Sequence, residues 1–397
     1  MATVEATSEI LEEDVDRPTE TSANPNSVRV TLIRRLADIV VLPAGRISAN
    51  ERSLAADIIL QVLGGVDMKL RADVAARVAH VPECPPALLR ALLLDEPEVA
   101  EPILRGAESL PEALLIETAR EGRKKHRDMV VRRHDLSTSI ADVIVEKNEA
   151  YICKLILRLE DLTLSPYAVD ILVSRSTADE ELQNLLLRRR ELEPAHGFMM
   201  FWWVDADRRK RILTRFALDR SVIQDALNDL YLRVFRPEEP PDPVVKEILI
   251  LAERRHRPRG VNGEAVSMDV VKRTLAIAYG NPAREIVDAV AMIAGVSVEL
   301  AARILRDPGG EPYAIMCKSL GVPRKEFYEF LTNADISGAE PEIVKQFNEE
   351  RYEELLAIFD SMARDFARAV LRYWDWDGNP RIAHITHLLG MDDNDLE

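Results

Sequence analysis

Apolar and polar positions between Cys84 and Leu213 recur in blocks of nearly constant length. Five segments align: CPPALLRALLLDEPEVAEPIL from Cys84, LPEALLIETAREGRKKHRDMVV from Leu110, LSTSIADVIVEKNEAYICKLIL from Leu136, LSPYAVDILVSRSTADEELQNLLL from Leu164, and LEPAHGFMMFWWVDADRRKRIL from Leu192. Their starts are 26, 26, 28 and 28 residues apart. Each begins with Leu or Cys, then Pro or Ser residues suited to a helix start, because proline in a first turn sacrifices no hydrogen bond. An apolar stripe follows four, five and eight positions on, as in Leu88, Leu89 and Leu92 or Ile140, Ala141 and Ile144. A polar break and a second short helix complete the block. The pattern predicts helical hairpins that cannot bury their stripes alone and stack into an α-solenoid. A further unit around Ile33–Val78 is expected to cap the N-terminal end.

Beyond Pro237 the pattern changes. The linker PEEPPDP precedes helix-period segments with larger apolar groups, among them VVKEILILAERRH, MDVVKRTLAIAYG, AREIVDAVAMIAG, VELAARILRD and PYAIMCKSLG. A long helix is expected over about 341–376, where Leu355, Phe359, Met362, Phe366, Ala369 and Tyr373 step by four and three, a heptad seam. The seam reads mainly as packing within a bundle, with homodimer formation through it as the lesser reading. No segment alternates as a strand would. The sequence therefore predicts an all-α chain: an acidic, disordered tail over 1–27, a solenoid of short HEAT-like hairpins over 28–236, a C-terminal helical bundle over 242–390, and an acidic tail over 391–397.

Charge adds little to this picture except at the ends. The 397-residue chain carries a formal charge of −16, of which the first 25 residues supply −6 and the tail MDDNDLE −4. The body is thus an ordinary polar surface. There is no positively charged start followed by an apolar run, and no apolar run of membrane-crossing length. The three cysteines, Cys84, Cys153 and Cys317, form no CxxC pair, which suits a reducing compartment. A cytoplasmic protein is expected.

The signatures RRHDLS and RRRELEP, the stretch AARILRDPGGEPYAIMCKSLGVPRKEFYEFL (Ala301–Leu331) and the closing ARAVLRYW (Ala367–Trp374) together span roughly 80–374. In these residues the chain resembles a family of alphaproteobacterial proteins sharing an uncharacterised conserved domain with HEAT-like helical repeats. The resemblance implies the fold and a bacterial cytosolic setting. It supplies no catalytic residues.

Candidate chemistry is sparse. His384 and His387 stand one turn apart before Asp392, Asp393 and Asp395, but no HExxH motif or third ligand at a defined distance accompanies them. DWDGN (Asp375–Asn379) has its glycine fourth and Thr386 at the twelfth position, so it reads as an Asp-Gly turn, not a calcium loop. Phosphate-loop and GxSxG patterns are missing, and Cys317 sits in an apolar setting. No catalytic residue, cofactor or metal site is assigned, and the chain reads as a non-enzyme. The segment 284–306 has helix-turn-helix spacing around Gly295-Val296-Ser297 but offers chiefly Arg303 and Arg306 to a nucleic acid.

Two basic clusters remain: Arg123, Lys124, Lys125 and Arg127, and Arg208, Arg209, Lys210 and Arg211. They occupy corresponding places in repeats two units apart, so a basic ridge for an acidic protein, an anionic head group or RNA is the candidate interaction surface. Arg132, Arg133 and Arg188–Arg190 instead end second helices, where cations oppose the macrodipole. In the last repeat, Phe198, Trp202 and Trp203 align with mostly polar counterparts. These rings are expected to dock the C-terminal bundle or a partner. The functional expectation is an adaptor or regulatory scaffold that binds another protein. The alternative is a nucleic-acid-binding regulator using the ridge or the 284–306 segment.

Overall fold

A computed structural model describes residues 25–43, 45–217, 242–254, 257–260, 262–334, 348–375, 382 and 387. The acidic tails, the linker to Pro241, the start of the expected long helix, the Asp-Gly turn and His384 lie outside these described residues. The described residues form twenty-one α-helices and no strand, with one isolated antiparallel bridge between Arg259 and Ala265. The chain divides into two compact units at Leu136–Ser137.

The first unit contains α1 (Pro25–Val40), α2 (Ala49–Leu63), α3 (Met68–Val78), α4 (Pro86–Leu93), α5 (Pro97–Gly106), α6 (Glu112–Glu121) and α7 (Lys124–Val131). The second begins with the pairs α8 (Thr138–Glu146) and α9 (Ala150–Arg158), α10 (Pro166–Ser174) and α11 (Glu180–Leu186), and α12 (Pro194–Met200) and α13 (Ala206–Phe216). The repeat starts follow from local chemistry. Pro86, Pro166 and Pro194 occupy first turns, while Ser137 and Ser165 cap α8 and α10 by accepting the Ile140 and Ala168 N–H groups. Within each unit, a helix packs on its hairpin mate and on the equivalent helix of the next hairpin, as α3 does on α5 and α8 on α10. That packing buries the repeated stripe: Leu88, Leu92, Leu115, Ile140, Ile144, Leu172 and Met200 are all enclosed.

Basic residues at the hairpin ends have a definite task. Arg133 donates through Nη1 to the Leu104 and Ala107 carbonyls (2.6 and 3.1 Å), which close the second helix of the preceding hairpin. Its Nε and Nη2 fork onto the Asp135 carboxylate (2.7 and 2.6 Å). Two repeats on, Arg189 binds the Leu159 carbonyl (2.8 Å), the Leu162 carbonyl and Glu191 Oε1 (2.8 Å). Arg215 then binds the Leu187, Arg189 and Leu192 carbonyls (3.2, 2.8 and 3.1 Å). Carbonyls at a helix end have no intrahelical donor. These arginines supply one from the next hairpin, so Arg133 and Arg189 act on a neighbouring helix end and not on their own. The R-x-Asp/Glu spacing of RRHD and RRRE is the sequence trace of this plug. Arg133→Ala is expected to lower unfolding free energy by about 1–3 kcal/mol, because it strands buried carbonyls. Arg132→Ala, at an exposed site, is expected to stay within about 0.5 kcal/mol in the same urea titration.

The second unit continues with α14 (Pro243–Arg254), α15 (Met268–Leu275), α16 (Arg284–Ala294), α17 (Val298–Arg306), α18 (Glu311–Leu320), α19 (Arg324–Thr332), α20 (Glu349–Ser361) and α21 (Arg364–Trp374). Helix α18 is buried on nearly every side, from Glu311 to Leu320, and packs against α20 and α21. An apolar helix without a polar face belongs at the centre of a core. Gly310 and Gly321, both left-handed (φ 81° and 78°), let the chain enter and leave it.

The single long helix expected to end near residue 376 is corrected here to two. Met362 (φ −97°, ψ 134°) and Ala363 (φ −77°, ψ 154°) are extended between α20 and α21. Ser361 turns its hydroxyl back onto the Ile358 carbonyl at the break, and Arg364 Nε donates to the Ser319 carbonyl (2.9 and 3.0 Å), fixing the new direction. Met362 stays buried, so the break does not interrupt the apolar spacing. Leu355, Phe359, Ala369 and Tyr373 are also enclosed within the unit, and Phe366 is half-buried. Most of the seam is therefore taken up by packing within the unit.

Candidate functional site

The basic clusters fall in different units and most of their members have internal partners. In the first, Arg123 forks onto Glu96, with Nη2 2.9 Å from Oε1, and Lys125 Nζ lies 3.1 Å from Glu98. Arg127 is buried and caps the α6 end through the Ala119 and Gly122 carbonyls (3.2 and 2.5 Å). Only Lys124 of this group is exposed without an ion pair among the described residues. In the second cluster, Arg208 is held by Asp205, Glu180 and Asn184 (2.9, 2.9 and 3.1 Å), and Arg211 shares Asn184 (3.2 Å). Lys210 is exposed, whereas Arg209 is buried. A continuous ridge of eight free cations is not what these residues form. Their side chains close helix ends and acidic neighbours.

Arg209 defines the most connected charge site. From α13 it donates to both oxygens of Asp307 (2.8 Å each) and to Glu311 Oε2 (3.0 Å). Its Nε meets the Phe201 carbonyl (3.1 Å), and its guanidinium lies 4.7 Å from the Phe201 ring centroid. Arg351 reaches the same site from α20, binding Glu311 Oε1 (2.5 Å) and the Gly309 carbonyl (2.6 Å). Burial alone would lower the pKa of Arg209, but Asp307 and Glu311 outweigh it and raise it. Burial likewise opposes the charge of Arg351, and Glu311 and Glu354 more than restore it. Two arginines thus balance two buried carboxylates, the arrangement that burying charge requires.

The loop between α17 and α18, Asp307-Pro308-Gly309-Gly310, is shaped around that balance. Asp307 Oδ1 accepts the Gly309 and Gly310 N–H groups (2.9 and 3.2 Å), and Tyr279 donates its hydroxyl to the Asp307 carbonyl (2.8 Å). A Cβ on Gly309 would sit 2.1 Å from Glu311 Oε2 and 2.6 Å from Arg209 Nη1, so any side chain here would push these charged groups out of their present contacts. Burial, followed by Asp307 and Glu311, pushes the Tyr279 phenol well up, which keeps it a neutral donor.

An aromatic cluster continues from this charge site. Phe198 lies 5.1 Å from Tyr373 and 6.2 Å from Phe216 between ring centroids. Trp374 donates to the Phe198 carbonyl (3.0 Å) and packs on Phe201 and Trp202, both at 4.9 Å. The Arg303 guanidinium stands 4.2 Å above Trp202, and burial lowers its pKa to about 10. Of the two cations of the helix-turn-helix-like segment, Arg303 is therefore covered by a ring and Arg306 is exposed. Trp203 differs from its neighbours: its indole N–H donates to Ser176 Oγ (3.2 Å), which ties it to the preceding hairpin. Sequence reasoning missed Phe201, Asp307, Glu311 and Arg351. Phe201 aligns with Leu93, Ala119, Val145 and Val173, all buried, and so looked like ordinary repeat core.

A buried His–Asp pair also occurs. His196 Nδ1 accepts the Glu193 N–H (3.0 Å), which places the ring proton on Nε2, 2.7 Å from Asp170 Oδ1. His126 repeats the arrangement with the Arg123 N–H and the Asp95 carbonyl (both 3.0 Å). Both nitrogens of each ring are occupied, so the imidazoles fasten loops to helices. Among the described residues, no three His, Cys, Asp or Glu side chains converge as a metal site. All three cysteines are buried; burial lifts the Cys84 thiol to about 12 and raises Cys153 and Cys317. No described helix is long and apolar enough to cross a membrane.

This architecture defines an all-α protein of short helical hairpins closed by an arginine–carboxylate and aromatic cluster. Residues 99–372 match the family described as Uncharacterised protein conserved in bacteria (DUF2336), and the chain belongs to that family. No curated protein and no solved structure matches the chain.

Proposed function

We propose that the chain is a non-enzymatic, HEAT-like helical-repeat scaffold that binds another protein in the bacterial cytoplasm. One observation carries this reading. On α14, Val244, Ile248 and Leu251 are 64%, 57% and 46% exposed. Their spacing of four and three places them on one helix face. Single exposed apolar residues are ordinary, whereas an aligned apolar stripe marks a contact surface. The helix is held in place through its packing on α21. Helix-in-groove recognition uses this spacing of anchors.

The test compares wild-type protein with the V244S/I248S/L251S variant in affinity purification from the native cytosol. A stoichiometric protein partner should accompany the wild type and be lost from the variant, with helical circular dichroism unchanged. Equal recovery by both proteins, or nucleic acid that resists moderate salt in place of a protein, contradicts the proposal.

A further inference from the structure

In the second unit, a cavity of about 320 Å³ opens where the ends of α9 and α11 meet. Four arginines line it: Arg158, Arg188, Arg189 and Arg190. Glu160 and Glu191 are the acids of its wall, leaving a formal excess of two positive charges, and Leu157 and Leu185 add an apolar face. None of these residues belongs to the junction around Arg209.

The arginines are not equally engaged. Arg158 pairs with Glu181. Arg190 is 73% exposed and touches Thr163 Oγ1 at 3.2 Å, with Glu191 Oε1 more distant at 3.9 Å. Arg188 is exposed and its guanidinium makes no hydrogen bond or ion pair with the described residues. Arg189 is only 6% exposed and plugs the Leu159 and Leu162 carbonyls. Its Nε has no partner, nor does Oε2 of the adjoining Glu191.

The equivalent plug in the first unit shows what is unusual here. Arg133 uses both Nε and Nη2 on the two oxygens of Asp135. In the second unit the longer Glu191 instead directs Oε1 to both Arg189 Nη2 (2.8 Å) and the Leu164 N–H (3.2 Å). One buried donor and one buried acceptor are left over in residues that line the cavity. Such groups are costly unless something completes them. Both atoms are closed off from solvent, so the groups free to face a ligand are the exposed Arg188 and Arg190. Guanidinium forks favour phosphate oxygens, and Arg188 and Arg190, the two arginines not closely paired with a carboxylate, complement a phosphomonoester dianion. A volume near the lower end for ligand pockets suits a small molecule.

We propose that this cavity binds a small phosphomonoester. Arg188 and Arg190 hold the phosphate, and Leu157 and Leu185 flank the carbon skeleton. Binding is non-covalent and needs no co-reactant.

Calorimetric titration of the full chain with glycerol 3-phosphate, inorganic phosphate and glycerol tests the assignment. Glycerol 3-phosphate should bind saturably, more tightly than phosphate, and glycerol should not bind. Arg188→Ala, which removes an exposed side chain with no internal partner, should weaken glycerol 3-phosphate by about tenfold or more. Arg211→Ala, an exposed arginine elsewhere, should leave it unchanged. Wild-type affinity in Arg188→Ala, or no saturable binding up to about 10 mM, overturns the site. Equal affinities for phosphate and glycerol 3-phosphate overturn the assignment of the carbon skeleton to Leu157 and Leu185.

Discussion

Replacing Arg209 with alanine is expected to lower unfolding free energy by about 3–5 kcal/mol, among the largest effects of any single substitution in the chain. Asp307 and Glu311 would keep their burial and lose the guanidinium that contacts three of their four oxygens. Arg351 would remain on Glu311 Oε1 alone. Such a loss exceeds what an exposed ion pair contributes, because the cost lies in the uncompensated buried charge. Urea titrations of the two proteins measure this; a loss no larger than the roughly 1 kcal/mol of an exposed ion pair would mean that the buried carboxylates do not depend on the cation.

Trp374→Ala should have a comparable effect of about 3–5 kcal/mol, for a different reason. The ring is 2% exposed, packs on Phe201 and Trp202, and donates to the Phe198 carbonyl. Truncation leaves a cavity beside Phe201 and Trp202 where α21 packs on α12. Trp203→Ala, which loses one indole hydrogen bond at a part-buried site, should cost about 1–2 kcal/mol. The comparison is made by thermal unfolding of the two variants under identical conditions. Equal losses would place Trp203 in the same cluster, contrary to its contact with Ser176.

The helical hairpins were legible because their signals are local. Proline or serine at each start, and a stripe at fixed offsets, declare a first turn and a buried face without reference to distant chain. Phe198 and Trp202 were legible for a related reason: they break a register whose other members are mostly polar. What escaped the sequence is long-range. Nothing in RRKR distinguishes Arg209, which is buried on Asp307 and Glu311, from Lys210, which is exposed. The first glycine of DPGG carries no signal until the charged side chains crowded against Gly309 are known. Two extended residues at Met362–Ala363 leave the apolar spacing intact, so periodicity reads one helix where there are two. Trp203 was misdirected because its partner, Ser176, is a hydroxyl in the preceding hairpin, which alignment of the repeats does not reveal.

The basic and aromatic stretch Arg188–Arg211 serves mainly to fasten the hairpins to one another and to the C-terminal helices of the second unit. A double-mutant cycle between Arg209→Met and Asp307→Asn, read by urea unfolding, measures that fastening directly. The structure predicts a coupling energy of about 2 kcal/mol or more between two residues 98 positions apart. Additive losses, with coupling below about 0.5 kcal/mol, would contradict it and return Arg209 to the surface.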